Sequence, residues 1–393
     1  MAVLIQSETP PAAKLQCAWS LAWKMLAHNR LRLLFTVLGV GAAFFLAAAQ
    51  FGLLVGWVKS TPALITHADV DLWIMEQKTQ AWDVGQPISR QYVYRARSFP
   101  DVSWAQPVLV AWVIWYRDDG EDVSAQLVGL DHDGVGGPWQ MQEGELRVIH
   151  KPETVVIDER YQDMMQIHAI GETAQILGRH VVVGGFSKGV RSFTATPPVF
   201  ASLKQALIYA GNNYRADEVT YVSVRIRPGA DVNAVRENMR RSIENVDILT
   251  SDEFAERTAR YWMLTTGAGI AVIFTALLGL VVGAVITSQT LFTITQENLA
   301  HYATLMAVGF ERRLLTQVVL LQSALVGVAG IVIGTVLYVP VSWLSQYSQL
   351  MIEFYWPMYI ALVVIFLIIC VLASGLSLRS VFRLDPVVVF SQQ

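Results

Sequence analysis

Four stretches of the chain stay apolar for the length a bilayer demands: residues 33–58, 261–290, 314–343 and 354–378. A hydrocarbon core of ~30 Å needs ~20 helical residues to cross it, and none of the four stretches holds an Asp, Glu, Lys, Arg or His. Backbone polar groups in lipid must be satisfied within their own segment, so the pattern predicts four membrane-spanning helices. Gly39, Gly41, Gly279, Gly283, Gly327, Gly330 and Gly334 fall inside them. Gly279 and Gly283 make a small-xxx-small pair suited to close helix contact.

Between the first and second spans the pattern shifts to period two and short β-branched runs. "DVDLWIM" (69–75), "PVLVAWVIWY" (107–116), "SAQLVGL" (124–130), "TVVID" (154–158), "HVVVGGF" (180–186) and "VTYVSVRI" (219–226) read as strands. "RDDGED" (117–122) suits a hairpin loop. "RPGADVNAVRENMRRSI" gives a Pro-Gly turn and then a helix with Val232, Val235, Met239 and Ile243 on one side, and "VDILT" follows as a strand. The expected domain is mixed α/β. Thr250 and Glu253 have the spacing of a capping box. A helix starting there is expected to run unbroken into the second span, a stiff lever at 1.5 Å per residue, and residues 31–59 are expected to do the same on the other side.

Upstream of the first span, "KLQCAWSLAWKMLAHNRLR" sets Leu15, Trp19, Leu21, Trp23, Leu26 and Leu31 among cationic residues. It reads as an amphipathic interfacial helix or as the end of the span itself. The expected organisation is an N-terminal arm (1–32), a first span (33–58), an α/β domain (59–260), a second span (261–290), a loop (291–313), a third span (314–343), a short loop (344–353), a fourth span (354–378) and a tail (379–393).

Charge sharpens this picture. Of 393 residues 53% are hydrophobic and 16% charged, with mean hydropathy +0.41, against ~25% charged in soluble domains. All but five of the 32 acidic residues and all but eight of the 29 basic ones lie in 59–260. Those eight are Lys14, Lys24, Arg30, Arg32, Arg312, Arg313, Arg379 and Arg383. All flank spans on one side, so both termini and the 291–313 loop are expected in the cytoplasm and 59–260 outside. A net charge of −3 gives no footprint for nucleic acid. The cysteines, Cys17 and Cys370, lie outside 59–260, which leaves that domain no disulfide framework. The first apolar run is too long for a cleavable secretory signal.

No site for catalysis stands out. "GGFSKGV" (184–190) has its glycines and lysine in the wrong order for a P-loop, and there is no H-E-x-x-H or G-x-S-x-G. His67 with Asp69 and Asp71, and Asp131-His132-Asp133, come nearest to metal clusters, and both read as solvated turns. Uncharged spans argue against proton- or ion-driven transport and against intramembrane catalysis. The expectation is a non-catalytic membrane subunit with no cofactor or metal of its own.

One segment remains: "ENLAHYATLMAVGFERR", Glu297 to Arg313, between the second and third spans. Leu299, Ala303, Met306 and Phe310 recur at spacings of four, three and four, one face of a helix. Glu297 near its start and Arg312 near its end suit the helix dipole, and Gly309 suits a C-cap. From composition, this short helix either docks on a partner or rests in the lipid headgroups.

The string "YATLMAVGF" after a second span resembles the FtsX/MacB-like (type VII) family of ABC transporter permeases, where a polar residue followed by an "lrAlG"-type string marks a coupling helix. It is most similar there to DevC-type permeases. "LTSDEFAERTARYW" before the second span and the C-terminal "RLDPVVVF" add to the likeness, as do the length, the four spans and the large outer domain. Met306 stands where DevC-like sequences tend to have lysine, which puts any role of that charge in doubt here. The resemblance implies that Glu297, Leu299, His301, Tyr302, Ala303, Thr304, Leu305, Met306 and Gly309 dock on a separate ABC ATPase subunit that binds ATP and Mg. It implies two copies of the chain with two ATPases in a bacterial inner membrane. It also implies a MacB-like periplasmic domain meeting a periplasmic adaptor (membrane fusion) protein, with a TolC-like outer-membrane channel completing the path. Such complexes work by mechanotransmission, which points to export or extraction of an amphiphile such as a lipid or glycolipid. The alternatives are an FtsX-like regulator that activates a periplasmic enzyme without moving substrate, and a lipoprotein-releasing permease.

Overall fold

The computed structural model describes residues 11–117, 119–131, 135–192, 194, 196–308, 310–345 and 351–382. It forms two units: a helical one, drawn from the chain up to Val55 and after Val272, and an α/β one from Gly56 to Ala271. The helices are α1 (Pro11–His28), α2 (Arg30–Ser60), α3 (Ala63–Thr66), α4 (Gln91–Arg97), α5 (Gln162–Met165), α6 (Leu203–Tyr209), α7 (Val232–Ser242), α8 (Ser251–Arg260), α9 (Ala268–Glu297), α10 (Leu299–Ala307), α11 (Arg312–Leu344) and α12 (Trp356–Phe382). The strands are β1 (Leu72–Glu76), β2 (Ile88–Ser89), β3 (Val102–Tyr116), β4 (Asp122–Leu130), β5 (Met141–Glu143), β6 (Thr154–Asp158), β7 (Thr173–Ile176), β8 (Arg179–Ser187), β9 (Pro198–Ser202), β10 (Glu218–Val219), β11 (Tyr221–Ile226) and β12 (Val246–Thr250).

The α/β unit is built on a ten-stranded mixed sheet of order β12-β1-β11-β3-β4-β9-β6-β8-β5, with β7 bridging β3 and β8. Pairs β4–β9 and β6–β8 are parallel. The long β3 shows why the sheet buries two faces. Its odd positions Leu109, Ala111, Val113 and Trp115 join Val93 and Ala96 of α4, Leu203 and Ala206 of α6, and Val235 and Met239 of α7 in one core. Its even positions Val108 and Val110 join Ile65 of α3 and Phe254 and Ala255 of α8 in a second. That second layer is aromatic. Trp82 stacks on Tyr221 at 5.0 Å, Trp73 meets Trp82 edge-on at 5.4 Å, and Phe254 lies 5.4 Å from Tyr221. Gly85 is required beside it: a Cβ there would fall 2.3 Å from the Tyr221 hydroxyl.

The capping box at α8 is present, with Glu253 N donating to Thr250 Oγ1 (3.2 Å) and Thr250 N to the Glu253 carboxylate (3.1 Å). The unbroken helix expected from there into the second span is not. α8 ends at Arg260, Tyr261–Thr265 widens into a π-helical turn, and the backbone bends at Thr266–Gly267 before α9 begins at Ala268. Gly267 takes φ +77°, which a side chain would resist. The second apolar helix therefore spans Ala268–Glu297, shifted toward the C-terminus of the expected 261–290. On the other side α2 does run unbroken from Arg30 to Ser60.

Among the described residues four helices are long and apolar enough to cross a membrane: α2, α9, α11 and α12. Glycines set the spacing in the helical unit. A Cβ at Gly334 would lie 2.7 Å from Gly41 O and one at Gly330 2.5 Å from Val40 Cγ1, so α2 and α11 cross at backbone contact. The predicted pair Gly279 and Gly283 is also in contact, with Gln50 and Ala43 of α2. Phe44 packs edge-on against Phe366 of α12 at 5.1 Å.

Candidate coupling segment

α10 lies between the ends of α9 and α11, and its seat is built from three helices. Ala18 and Ala22 of α1, Tyr302 of α10, and Leu315, Val318 and Val319 of α11 form a buried cluster, with Leu299, Leu305 and Met306 packed at its edge. α1 reaches this cluster with small residues, while Trp19 and Trp23 on its other side stay about half exposed. The side that packs is thus made by small residues that the sequence reading did not single out. A bend at Asn29 separates α1 from α2, and the Asn29 side chain accepts from Arg32 N (3.2 Å), satisfying one free donor at the start of α2.

The apolar stripe Leu299, Ala303, Met306 is turned inward. Ala303 is fully buried, and so is Tyr302. The Tyr302 hydroxyl donates to Gln322 Oε1 of α11 at 2.7 Å. Burial raises the Tyr302 pKa, so the phenol stays a donor at physiological pH. Gln322 Nε2 is buried with no hydrogen-bond partner. The outward face is Ala300, His301, Thr304, Ala307 and Val308, all exposed, with Val308 61% exposed. These positions fall at i, i+1, i+4, i+7 and i+8, a coherent helical face.

Glu297 belongs to the last turn of α9 and not to α10. Its carboxylate pairs with Arg32 Nε at 3.0 Å, joining the α9 end to the start of α2. Arg312 opens α11. Gly309 lies outside the described residues, as do His132, Asp133 and the C-terminal "RLDPVVVF". Among the described residues no three His, Cys, Asp or Glu side chains converge on a common point. Asp69 and Asp71 are engaged by Arg225 and Ile226 N, and His67 Nδ1 lies 2.8 Å from Ala63 O.

The sequence matches two protein families. Residues 33–242, more than half of the chain, match the MacB-like periplasmic core domain. Residues 273–386 match the FtsX-like permease C-terminal family. The chain belongs to the FtsX-like permeases that carry a MacB-like periplasmic core domain: permease-type membrane subunits of ABC systems, a family that works with an ABC ATPase. Among solved structures, the periplasmic region of MacB from Actinobacillus actinomycetemcomitans is similar at 13% identity and TM-score 0.37, covering 47% of this chain and 90% of that one. The extracellular domain of the noncanonic ABC-type transporter YknZ from Gram-positive bacteria is similar at 12% identity and TM-score 0.34, covering 46% and 98%. No curated protein matches the sequence.

Proposed function

We propose that this chain is the transmembrane subunit of an ATP-driven export complex that works by mechanotransmission. α10 docks on a separate ABC ATPase in the cytoplasm, two copies of the chain pair with two ATPases, and the α/β domain passes the movement to a periplasmic adaptor. The cargo is an amphiphile such as a lipid or glycolipid. A DevC-type assembly with a TolC-like channel is the fuller form of this reading. The observation that carries it is the split of α10: one face fixed from behind by Tyr302, the opposite face bare. A helix held in this way transmits a push, whereas a helix resting loosely in headgroups would not need a buried hydrogen bond to α11. Uncharged spans favour an amphiphile over a hydrophilic solute.

The docking face is therefore Ala300, His301, Thr304, Ala307 and Val308. Ala300→Arg with Thr304→Arg is expected to lower export at least about tenfold, in keeping with the loss of a docking contact worth ~2 kcal/mol. The permease should remain folded in the membrane. The measurement is export together with ATPase rate in membranes carrying the complex. Full export by the double variant would refute docking through α10.

A further inference from the structure

Two carboxylates among the described residues of the α/β unit are nearly or wholly buried, and they differ in how they are satisfied. Asp158, 0% exposed, accepts from Ser187 Oγ (3.0 Å), Val190 N (2.9 Å) and Arg160 N (3.2 Å). Asp83, 6% exposed, accepts Trp262 Nε1 on Oδ1 at 2.9 Å, while Oδ2 is buried with no partner. Asp83 lines a cavity of about 20 Å³ of mixed lining, with Ser60, Thr61, Gln126, Arg191 and Ser192 supplying polar groups beside Leu64 and Trp82. Its size and lining suit one water molecule.

We infer that Asp83 is a positioning residue that pins the root of the second span to the sheet, holding the π-helical turn in register through Trp262. Its own loop is fixed from the sheet at two points. Trp112 of β3 donates to Asp83 O at 2.8 Å, and Tyr221 of β11 donates to Trp82 O at 2.7 Å and Ala81 O at 3.1 Å. From this anchor the Asp83 carboxylate reaches the indole of Trp262, the second residue of the π turn. α8 is held by Phe254 in the aromatic layer and by Arg257 on Asp247 at 2.7 Å. The turn beyond Arg260 is where the helix loosens, and Trp262 ties that turn back to the body of the domain.

Register matters there for a geometric reason. A π turn carries one more residue than an α turn, and passing that residue along the chain rotates the following helix by ~100°. Ser60 and Thr61, where the first span joins the α/β unit, line the same cavity. Asp83 thus sits between the points where the chain enters and leaves this unit, the two routes by which movement of the spans can arrive. A buried carboxylate costs stability that an apolar residue would not, and the bond to Trp262 offsets part of that cost. Burial raises the Asp83 pKa, and Oδ1 accepts from the indole in either protonation state.

The test is hydrogen exchange of the full chain in nanodiscs of phosphatidylethanolamine and phosphatidylglycerol. It compares the wild type with Asp83→Leu, Asp83→Asn and Trp262→Phe. Loss of a hydrogen bond to a charged group predicts about tenfold or faster exchange across residues 258–271 in Asp83→Leu and Trp262→Phe. Strands β1 and β11 should be unchanged. Asp83→Asn keeps the acceptor and should stay within about twofold of wild type. Unchanged exchange at 258–271 in Asp83→Leu and Trp262→Phe would overturn the assignment. So would loss of protection spread evenly over β1 and β11, or an Asp83→Asn variant as disturbed as Asp83→Leu. The consequence for transport rests on the mechanotransmission reading, but the exchange measurement needs no ATPase. Failure of the α10 variants to uncouple would therefore leave the pin standing, and failure of the pin would leave α10 docking untouched.

Discussion

Tyr302 shows how one residue can fix a short helix in its seat. Its ring fills the cluster between α1 and α11, and its hydroxyl meets Gln322 Oε1 at 2.7 Å. Removing only the hydroxyl leaves the Gln322 amide, already short of a partner at Nε2, buried with neither end bonded. Leaving such a group unsatisfied costs ~1–3 kcal/mol, whereas replacing both partners by apolar groups of similar shape can be nearly neutral. Tyr302→Phe is thus expected to lower the thermal midpoint of the full chain in detergent, and Tyr302→Phe with Gln322→Leu to restore most of it. A double variant no better than the single would mean the ring, and not the bond, makes the seat. Glu297 offers the contrast. Its pair with Arg32 is more than a third exposed on the Arg32 side, and such pairs contribute ~0–1 kcal/mol, so it orients the end of α9 more than it holds it.

At the scale of elements, close packing in the helical unit comes down to glycine. Gly334→Ala would place a methyl carbon 2.7 Å from the Gly41 carbonyl oxygen and 2.8 Å from Phe44 Cδ1, with backbone on one side and a wedged ring on the other. Gly279→Ala meets only Gln50 Cγ at 3.0 Å, part of a side chain that can swing away. Gly334→Ala is expected to cost ~1–3 kcal/mol by forcing α2 and α11 apart, and Gly279→Ala far less. Thermal midpoints of the two variants decide this, and equal losses would refute the close crossing. The sequence had drawn attention to the milder pair, because a small-xxx-small spacing says that backbones can approach but not which helix comes to meet them. The same limit applies elsewhere. Strands such as β3, β4, β6 and β11 were legible from alternating or continuous apolar and β-branched runs. β5, β7 and β9 were not, being three to five residues long with no run of β-branched residues to mark them. The π turn escaped because "YWMLTT" continues the apolar pattern, with Gly267 the sole sign of a break. In α10 the periodic stripe identified a helix face but not its role. That face is the packed one, and the residues it leaves out, Ala300, His301, Thr304, Ala307 and Val308, are exposed and form the face proposed for docking.

For the whole molecule, the number of spans and the placement of charge make one joint prediction. If each of the four helices crosses once, the chain returns to the side where it began, and α1, α10 and the residues after α12 would share one side with the α/β domain on the other. Charge agrees independently. Every Lys and Arg outside 59–260 belongs to residues 1–32, to the start of α11, or to residues 379–393, while residues 344–353 hold none. Positive short flanks remain cytoplasmic, which would put α10 within reach of an ATPase and the α/β domain outside. Single cysteines at Asp119, in the β3–β4 hairpin loop, and at Arg313, at the start of α11, separate the possibilities when Cys17 and the buried Cys370 are first replaced. An impermeant maleimide added to intact spheroplasts should label Asp119→Cys at once and Arg313→Cys only after lysis. If both label from outside, α9, the one span between the two positions, fails to cross, and α10 loses its access to any nucleotide-driven partner. If the pattern is reversed, the spans stand but the α/β domain faces the cytoplasm, and an adaptor outside the membrane has nothing to hold. The proposed transmission from α10 to a domain outside the cell membrane requires the first pattern alone, with Asp119→Cys labelled in intact spheroplasts and Arg313→Cys only after lysis.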